Sequence, residues 1–163
     1  MRISSLEEYG LRVALSLLRL SEGKDSVSAA EIARAEGISA EYASKILHLF
    51  KKSKLVVSQR GSKGGFRLAL DSATVPVSLV LAALQDKKQF NGEFCQAYGG
   101  TNEKGASTNR PSVQPLWKFL FTGFDQMLDD IFLSDLLLGP EMLRIKIKDV
   151  AAKRFDRLFE KFA

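Results

Sequence analysis

Cysteine and histidine each occur once, as Cys95 and His48, in a chain of 163 residues. One cysteine excludes an intrachain disulfide framework and any metal site that draws several thiolates from one chain. A single histidine, a single cysteine and no nucleophile–base spacing leave little for catalysis, so no enzyme and no catalytic residue are expected. No apolar run is long enough to span a bilayer, and no membrane partner is expected. The opening MRISSLEEYG lacks the apolar stretch and small-residue cleavage site of a secretory signal, which makes the cytoplasm the expected location. The glycines of Gly61–Gly65 fall between strand-like segments rather than before a helix, which argues against a nucleotide loop.

What is present is ordinary core material with an uneven charge. Hydrophobic residues make up 45% and charged residues 26%, enough for one domain with an appendage. The net charge is +5, and residues 1–70 alone carry 12 basic and 7 acidic side chains. Residues 71–139 are acidic on balance and residues 140–163 basic. Between Lys45 and Leu70 stand seven bases (Lys45, Lys51, Lys52, Lys54, Arg60, Lys63 and Arg67) and no acid. Such a cluster can displace counterions from a phosphate backbone, or it can be a solvated basic face.

Apolar spacing predicts an amphipathic helix over 6–20, ended near Gly23. Ser28-Ala29-Ala30-Glu31 is a capping box that opens a second helix, and Gly37 supplies the left-handed residue that stops it. Ser39 caps a third helix over 40–52, with Tyr42, Ala43, Ile46, Leu47 and Phe50 on one stripe. Glu41, Ser44, Lys45, His48, Lys51 and Lys52 fall mostly opposite. Leu55–Arg60 and Phe66–Leu70 read as strands around the glycine-rich turn, and Val77–Leu84 as a short helix.

Two short helices with a small residue (Ala33) at their crossing and Gly37 in the turn read as a helix-turn-helix, whose second helix is expected to enter the major groove, although helix pairs of this kind also occur as plain structure. The hairpin adds a wing with Arg60 and Lys63 at its tip, suited to the phosphate backbone or the adjacent minor groove. The fold class expected is mainly α with a small β-hairpin wing: a winged helix-turn-helix plus a long dimerisation helix. Residues 1–85 are assigned to DNA binding, 86–112 to a loop, and 113–163 to a helical dimerisation region with a C-terminal extension. Gly92, Gly99, Gly100 and Gly105, with Asn91, Asn102 and Asn109, give the loop its character. Leu116, Leu120, Phe124, Met127 and Ile131 recur at helical spacing and are expected to face a second copy, with Trp117 in the core. Gly139-Pro140 breaks the pattern before a last amphipathic helix over 141–162, with Leu143, Ile147 and Val150 on its apolar side.

Met1-Arg2-Ile3, Glu8-Tyr9-Gly10-Leu11-Arg12, Ile32-Ala33, Gly37-Ile38-Ser39, Tyr42 and, above all, Arg60-Gly61-Ser62-Lys63-Gly64-Gly65-Phe66-Arg67-Leu68 resemble the Rrf2 family of transcription regulators. The likeness covers about residues 1–138; the helix after Pro140 looks like an extension. It implies a homodimer on a palindromic operator in double-stranded DNA, usually repressing. It also implies base readers at Ser39, Glu41 and Ser44, with Arg60 in the minor groove. The residue chemistry accepts these roles: the serines donate or accept, and Glu41 can accept from a cytosine amino group. Lys45, Lys51 and Lys63 suit phosphates. Tyr42, His48 and Ser62 complete the expected DNA-facing set.

Many family members hold an iron–sulfur cluster through three cysteines in the loop before the long helix, some with a further ligand from the partner's first helix, where Glu8 stands. Here Cys95 is the one cysteine, and Ser107 and Ser112 do not replace thiolates. No cofactor and no metal ligand are therefore expected, the cluster remaining a lesser alternative. Cys95 reads as an ordinary half-buried thiol, as a redox sensor or as an interchain disulfide partner. A different function class stays open: a protein-interaction regulator whose helical half docks a partner protein. A regulatory protein or small-molecule effector is left unidentified.

Overall fold

The computed structural model describes residues 3–59, 61, 64–84 and 114–162. Helix α1 (Ser5–Leu20) is set by a capping box, in which the Ser4 hydroxyl accepts from the Glu7 amide and the Glu7 carboxylate accepts from the Ser4 amide. Val13, Ala14 and Leu17 recur three and four residues apart and are fully buried. The second capping box, Ser28 with Glu31, opens α2 (Ala29–Glu36) as its spacing predicts. A lost serine cap of this kind costs about 1 kcal/mol. Helix α3 (Ala40–Lys52) follows, with Ala43, Ile46, Leu47 and Phe50 buried against α1 and α2.

Strands β1 (Val56–Gln59) and β2 (Gly65–Leu68) pair antiparallel, with Val56 opposite Leu68 and Gln59 opposite Gly65. They are shorter than the sequence suggests: Leu55 lies outside β1 and is buried in the core, though its carbonyl still accepts from the Ala69 amide at 2.9 Å. A third line of pairing joins them: Val27 and Phe66 exchange both backbone hydrogen bonds, at 2.9 and 2.8 Å. Val27 immediately precedes the cap of α2, so the hairpin is tied to the start of the helix pair.

After a 3₁₀ turn at Ser72–Thr74, α4 (Val77–Leu84) packs on α1. The two helices approach closely at Gly10, where an added Cβ would lie 2.1 Å from Leu84 Cδ1. Helix α5 (Gln114–Asp129) is followed by a 3₁₀ turn at Asp135–Leu137 and by α6 (Pro140–Phe162). The apolar periodicity read up to Ile131 overruns the helix end. Residues 131–134 instead run alongside 72–77, with Val77 N–H on the Ile131 carbonyl and Leu133 N–H on the Val75 carbonyl, both at 2.8 Å. Ile131 is accordingly buried inside the chain with Val77 and Val150. Helix α6 folds back onto this junction, where the Arg154 guanidinium grips both oxygens of Asp130 at 2.5 Å.

Candidate nucleic-acid interface

The turn between α2 and α3 depends on Gly37, whose φ of 66° lies in the left-handed region. Its amide and that of Ile38 both donate to the Ala33 carbonyl, closing the helix end. Ala33, the small residue expected at the helix crossing, is buried, 5% exposed. Ser39 then caps α3 by accepting from the Tyr42 amide at 3.1 Å. This occupies one acceptor site on the Ser39 hydroxyl while leaving the exposed residue at the leading end of the helix.

The outward side of α3 carries Glu41, Lys45, His48 and Lys52, all exposed and spaced four, three and four residues apart. Lys51 is exposed beside them and Ser44 is half-buried. Glu41 is the single acid in this helix, and it stands in the first turn, where the helix dipole favours it. His48 is fixed by two contacts: Nδ1 lies 2.7 Å from the Ser44 carbonyl oxygen, and the ring meets Phe66 of the hairpin edge-on at 6.3 Å. Tyr42 is half-buried, its ring edge-on to Tyr9 at 5.7 Å, so the ring packs α3 against α1. Arg60, Ser62 and Lys63 of the hairpin tip lie outside the described residues, as do Cys95 and the side chain of Trp117.

The glycines of the hairpin have physical reasons. Gly61 takes φ 122°, and its carbonyl accepts from the Gly64 amide at 2.9 Å. A Cβ on Gly64 would meet the Gln59 carbonyl oxygen at 2.7 Å, and one on Gly65 would meet the Val27 carbonyl oxygen at 2.6 Å.

Sequence reading missed the clamp that orients the helix pair. Arg12 Nε donates to Glu36 at 2.7 Å, and Arg12 Nη2 donates to the Glu36 backbone carbonyl at 3.3 Å. The buried Ser16 hydroxyl donates to the other Glu36 carboxylate oxygen. The same guanidinium lies 5.1 Å from the Tyr9 ring centroid. Tyr9, Gly10 and Arg12 thus each brace α1, against α3, α4 and α2 respectively. All three fall in the Glu8–Arg12 run, which was the available signal. At the other end of α2, hydrogen bonds from Lys24 and then from Ser28 hold the Glu31 carboxyl at about 2, against an ordinary 4.5.

On α5, Leu116 and Leu120 are 54% and 48% exposed, whereas Phe124 and Met127 are half-buried and Met127 packs on the Val77–Ile131–Val150 cluster. The predicted outward stripe therefore runs from Leu116 and Leu120 into the chain's own core at Ile131.

Residues 3–138 match the model of the Rrf2 family, described as iron-dependent transcriptional regulators. The chain is 31% identical over 149 residues to the HTH-type transcriptional regulator IscR of Vibrio cholerae, covering 89% of this chain and 80% of that one. It is 30% identical to the IscR of Sodalis glossinidius, with 89% and 84% covered. Among solved structures, IscR of T. potens superposes with a TM-score of 0.64 at 23% identity, covering 84% of this chain and 86% of that one. CymR of B. subtilis superposes with a TM-score of 0.61 at 21% identity, covering 83% and 95%. These last two likenesses concern the fold: winged-helix, mostly helical with a two-stranded hairpin.

The family description raises the question of iron. The chain has one cysteine, and among the described residues no group of three or more His, Cys, Asp or Glu side chains converges as a metal site. His48 sits exposed on α3, and Glu8 is exposed on α1 without a thiolate partner in its own helix. This donor set does not fit a thiolate-held cluster. The family match over residues 3–138, together with relatives that are regulators rather than enzymes, establishes that this chain belongs to the Rrf2 family of transcriptional regulators and is not an enzyme.

Proposed function

We propose that the chain is a homodimeric repressor that binds a palindromic operator in double-stranded DNA through α3 and the wing, without an iron–sulfur cluster. The observation that carries this reading is the exposed row Glu41, Lys45, His48 and Lys52, set beside a hairpin tied by backbone hydrogen bonds to the start of the helix pair. A rigid helix–wing unit of this kind fits a major groove and its neighbouring minor groove at once. Ser39, Glu41 and Ser44 stand at the leading end, where base edges are read; Lys45 and Lys51 supply phosphate contacts. A two-fold symmetric pair would form through Leu116 and Leu120, which are 54% and 48% exposed and so gain roughly 1 kcal/mol each on full burial.

The test is selection of bound duplexes from fragmented genomic DNA, followed by titration at several salt concentrations. A discrete, two-fold symmetric site whose affinity falls steeply with salt is expected, and Arg60→Ala should weaken it. Absence of any discrete high-affinity site would overturn the proposal. A second reading, in which the helical half docks a partner protein, is favoured by the exposed Met142 and Ile145 of α6, each 55% exposed. A stoichiometric partner in pull-downs, with Arg60→Ala silent in cells, would favour it.

A further inference from the structure

The chain's single histidine stands exposed on α3 where that helix meets the hairpin. A helix in the major groove and a wing in the adjacent minor groove straddle the strand that separates the two grooves. That strand has to cross the junction of helix and wing, and His48 of α3 meeting Phe66 of β2 is that junction. His48 lies nine residues beyond the Ser39 cap, about 13 Å at 1.5 Å per residue, and so stands clear of the residues at the leading end that are assigned to base edges.

The hydrogen bond fixes which nitrogen faces outward. A backbone carbonyl has no proton to give, so the contact between Nδ1 and the Ser44 oxygen requires Nδ1–H as the donor. The neutral ring then carries its lone pair on Nε2, away from that carbonyl on an exposed side chain. A lone pair repels a phosphate oxygen, whereas a second proton on Nε2 turns the same atom into a charge-assisted donor. We propose that His48 is a proton-coupled phosphate contact: seating on DNA takes up one proton at Nε2, which makes operator affinity rise as the pH falls through neutrality.

The charged groups on the elements packed around the ring favour coupling to DNA rather than to a protein acid. Helix α3 contributes Lys45, Lys51 and Lys52, with Glu41 two turns toward the cap. Strand β2 contributes Arg67, the residue after Phe66 and so directed to the opposite face, and β1 has no ionisable side chain. Phosphates arriving with DNA favour a positive charge on the ring.

The inference rests on the DNA-binding reading, and one set of experiments separates the two. With the intact protein and a duplex obtained by selection, affinity is measured between pH 6 and pH 8 for wild type, His48→Gln and His48→Lys. Wild type should bind about threefold to tenfold more tightly at pH 6, tenfold per pH unit being the limit for one proton. Gln should flatten the profile at the weaker level, and Lys should flatten it at the tighter level. Because the chain has one histidine, its ring nitrogen signals can be followed by NMR without ambiguity. They should show the Nδ1–H tautomer in the neutral free protein and a titration displaced to higher pH on adding duplex. A profile that is the same in His48→Gln, an affinity that falls with pH because Nε2 accepts from a base, or a titration unmoved by DNA would each overturn the inference while leaving DNA binding intact. If no duplex is bound, both readings fall together.

Discussion

Gly65 lacks a side chain because the backbone of Val27 occupies the place: an added Cβ would sit 2.6 Å from the Val27 carbonyl oxygen and 2.7 Å from its carbonyl carbon. Neither atom can rotate away, since Val27 is held by two hydrogen bonds to Phe66. Gly65→Ala must therefore lift β2 off the start of α2. We expect helical circular dichroism to persist, the urea midpoint to fall by the equivalent of about 1–3 kcal/mol, and duplex affinity to drop as the wing loses its position. Gly61→Ala is the contrast. It meets nothing within 4 Å but is strained by its φ of 122°, so it should perturb the tip and spare the Val27–Phe66 pairing, readable as amide hydrogen exchange.

The Arg12–Glu36 pair makes a second prediction, with unequal effects from its two ends. The Glu36 side chain is 13% exposed and accepts from both Arg12 and the buried Ser16. Removing it leaves that hydroxyl without its acceptor, so Glu36→Ala should cost about 1–3 kcal/mol in chemical denaturation. Arg12 is 43% exposed, and solvent can replace part of what it loses. Arg12→Ala should therefore cost less, about 1 kcal/mol or below. Equal losses from the two variants would show that the clamp works as an isolated ion pair rather than as a brace shared with Ser16.

Glu31 gives the chain a defined acid response. Its folded value of about 2 lies below the ordinary 4.5, so the folded state favours the ionised carboxylate. The associated stability is complete above pH 4.5 and is lost as the pH falls toward 2. In Glu31→Gln that component is absent throughout. The variant should be less stable than wild type at pH 6 and should converge on it near pH 2, measured by thermal unfolding. Ser28→Ala removes the other half of the box and should cost about 1 kcal/mol at pH 6.

Local chemistry made the helix pair readable, and distant chemistry hid the rest. Ser28 and Glu31 are three residues apart, and Gly37 needs only its own φ, so both signals lie within one window of sequence. The wing was visible as a glycine-rich turn, but the reason for Gly65 lies at Val27, far back in the chain. Arg12 and Glu36 are likewise joined across 24 positions, beyond the reach of periodicity. Ile131 shows the opposite error. Apolar spacing continues past Asp129 with no proline or glycine to stop it, while the stop is tertiary: the Ile131 carbonyl accepts from Val77. Among the expected DNA-facing residues, the exposed set was legible from helical phase alone. The cap formed by Ser39 was legible as well, whereas the packing of Tyr42 on Tyr9 was not.

That same junction separates two kinds of apolar residue on what sequence presents as one stripe. Leu120 is 48% exposed, whereas Ile131 is 7% exposed and packed with Val77 and Val150. If two copies pair through α5, Leu120→Glu places a charge in an apolar interface and should shift the protein to monomer in sedimentation, with the urea midpoint of the dissociated chain unchanged. Ile131→Ala acts inside the chain and should cost about 2–5 kcal/mol through the cavity it leaves. Its effect on sedimentation should be secondary to unfolding. Operator affinity should fall in Leu120→Glu chiefly through loss of simultaneous binding to two half-sites, so a single half-site duplex should be bound equally by wild type and variant. A Leu120→Glu chain that remains dimeric would place the pairing surface elsewhere, with the exposed Met142 and Ile145 of α6 the next face to substitute.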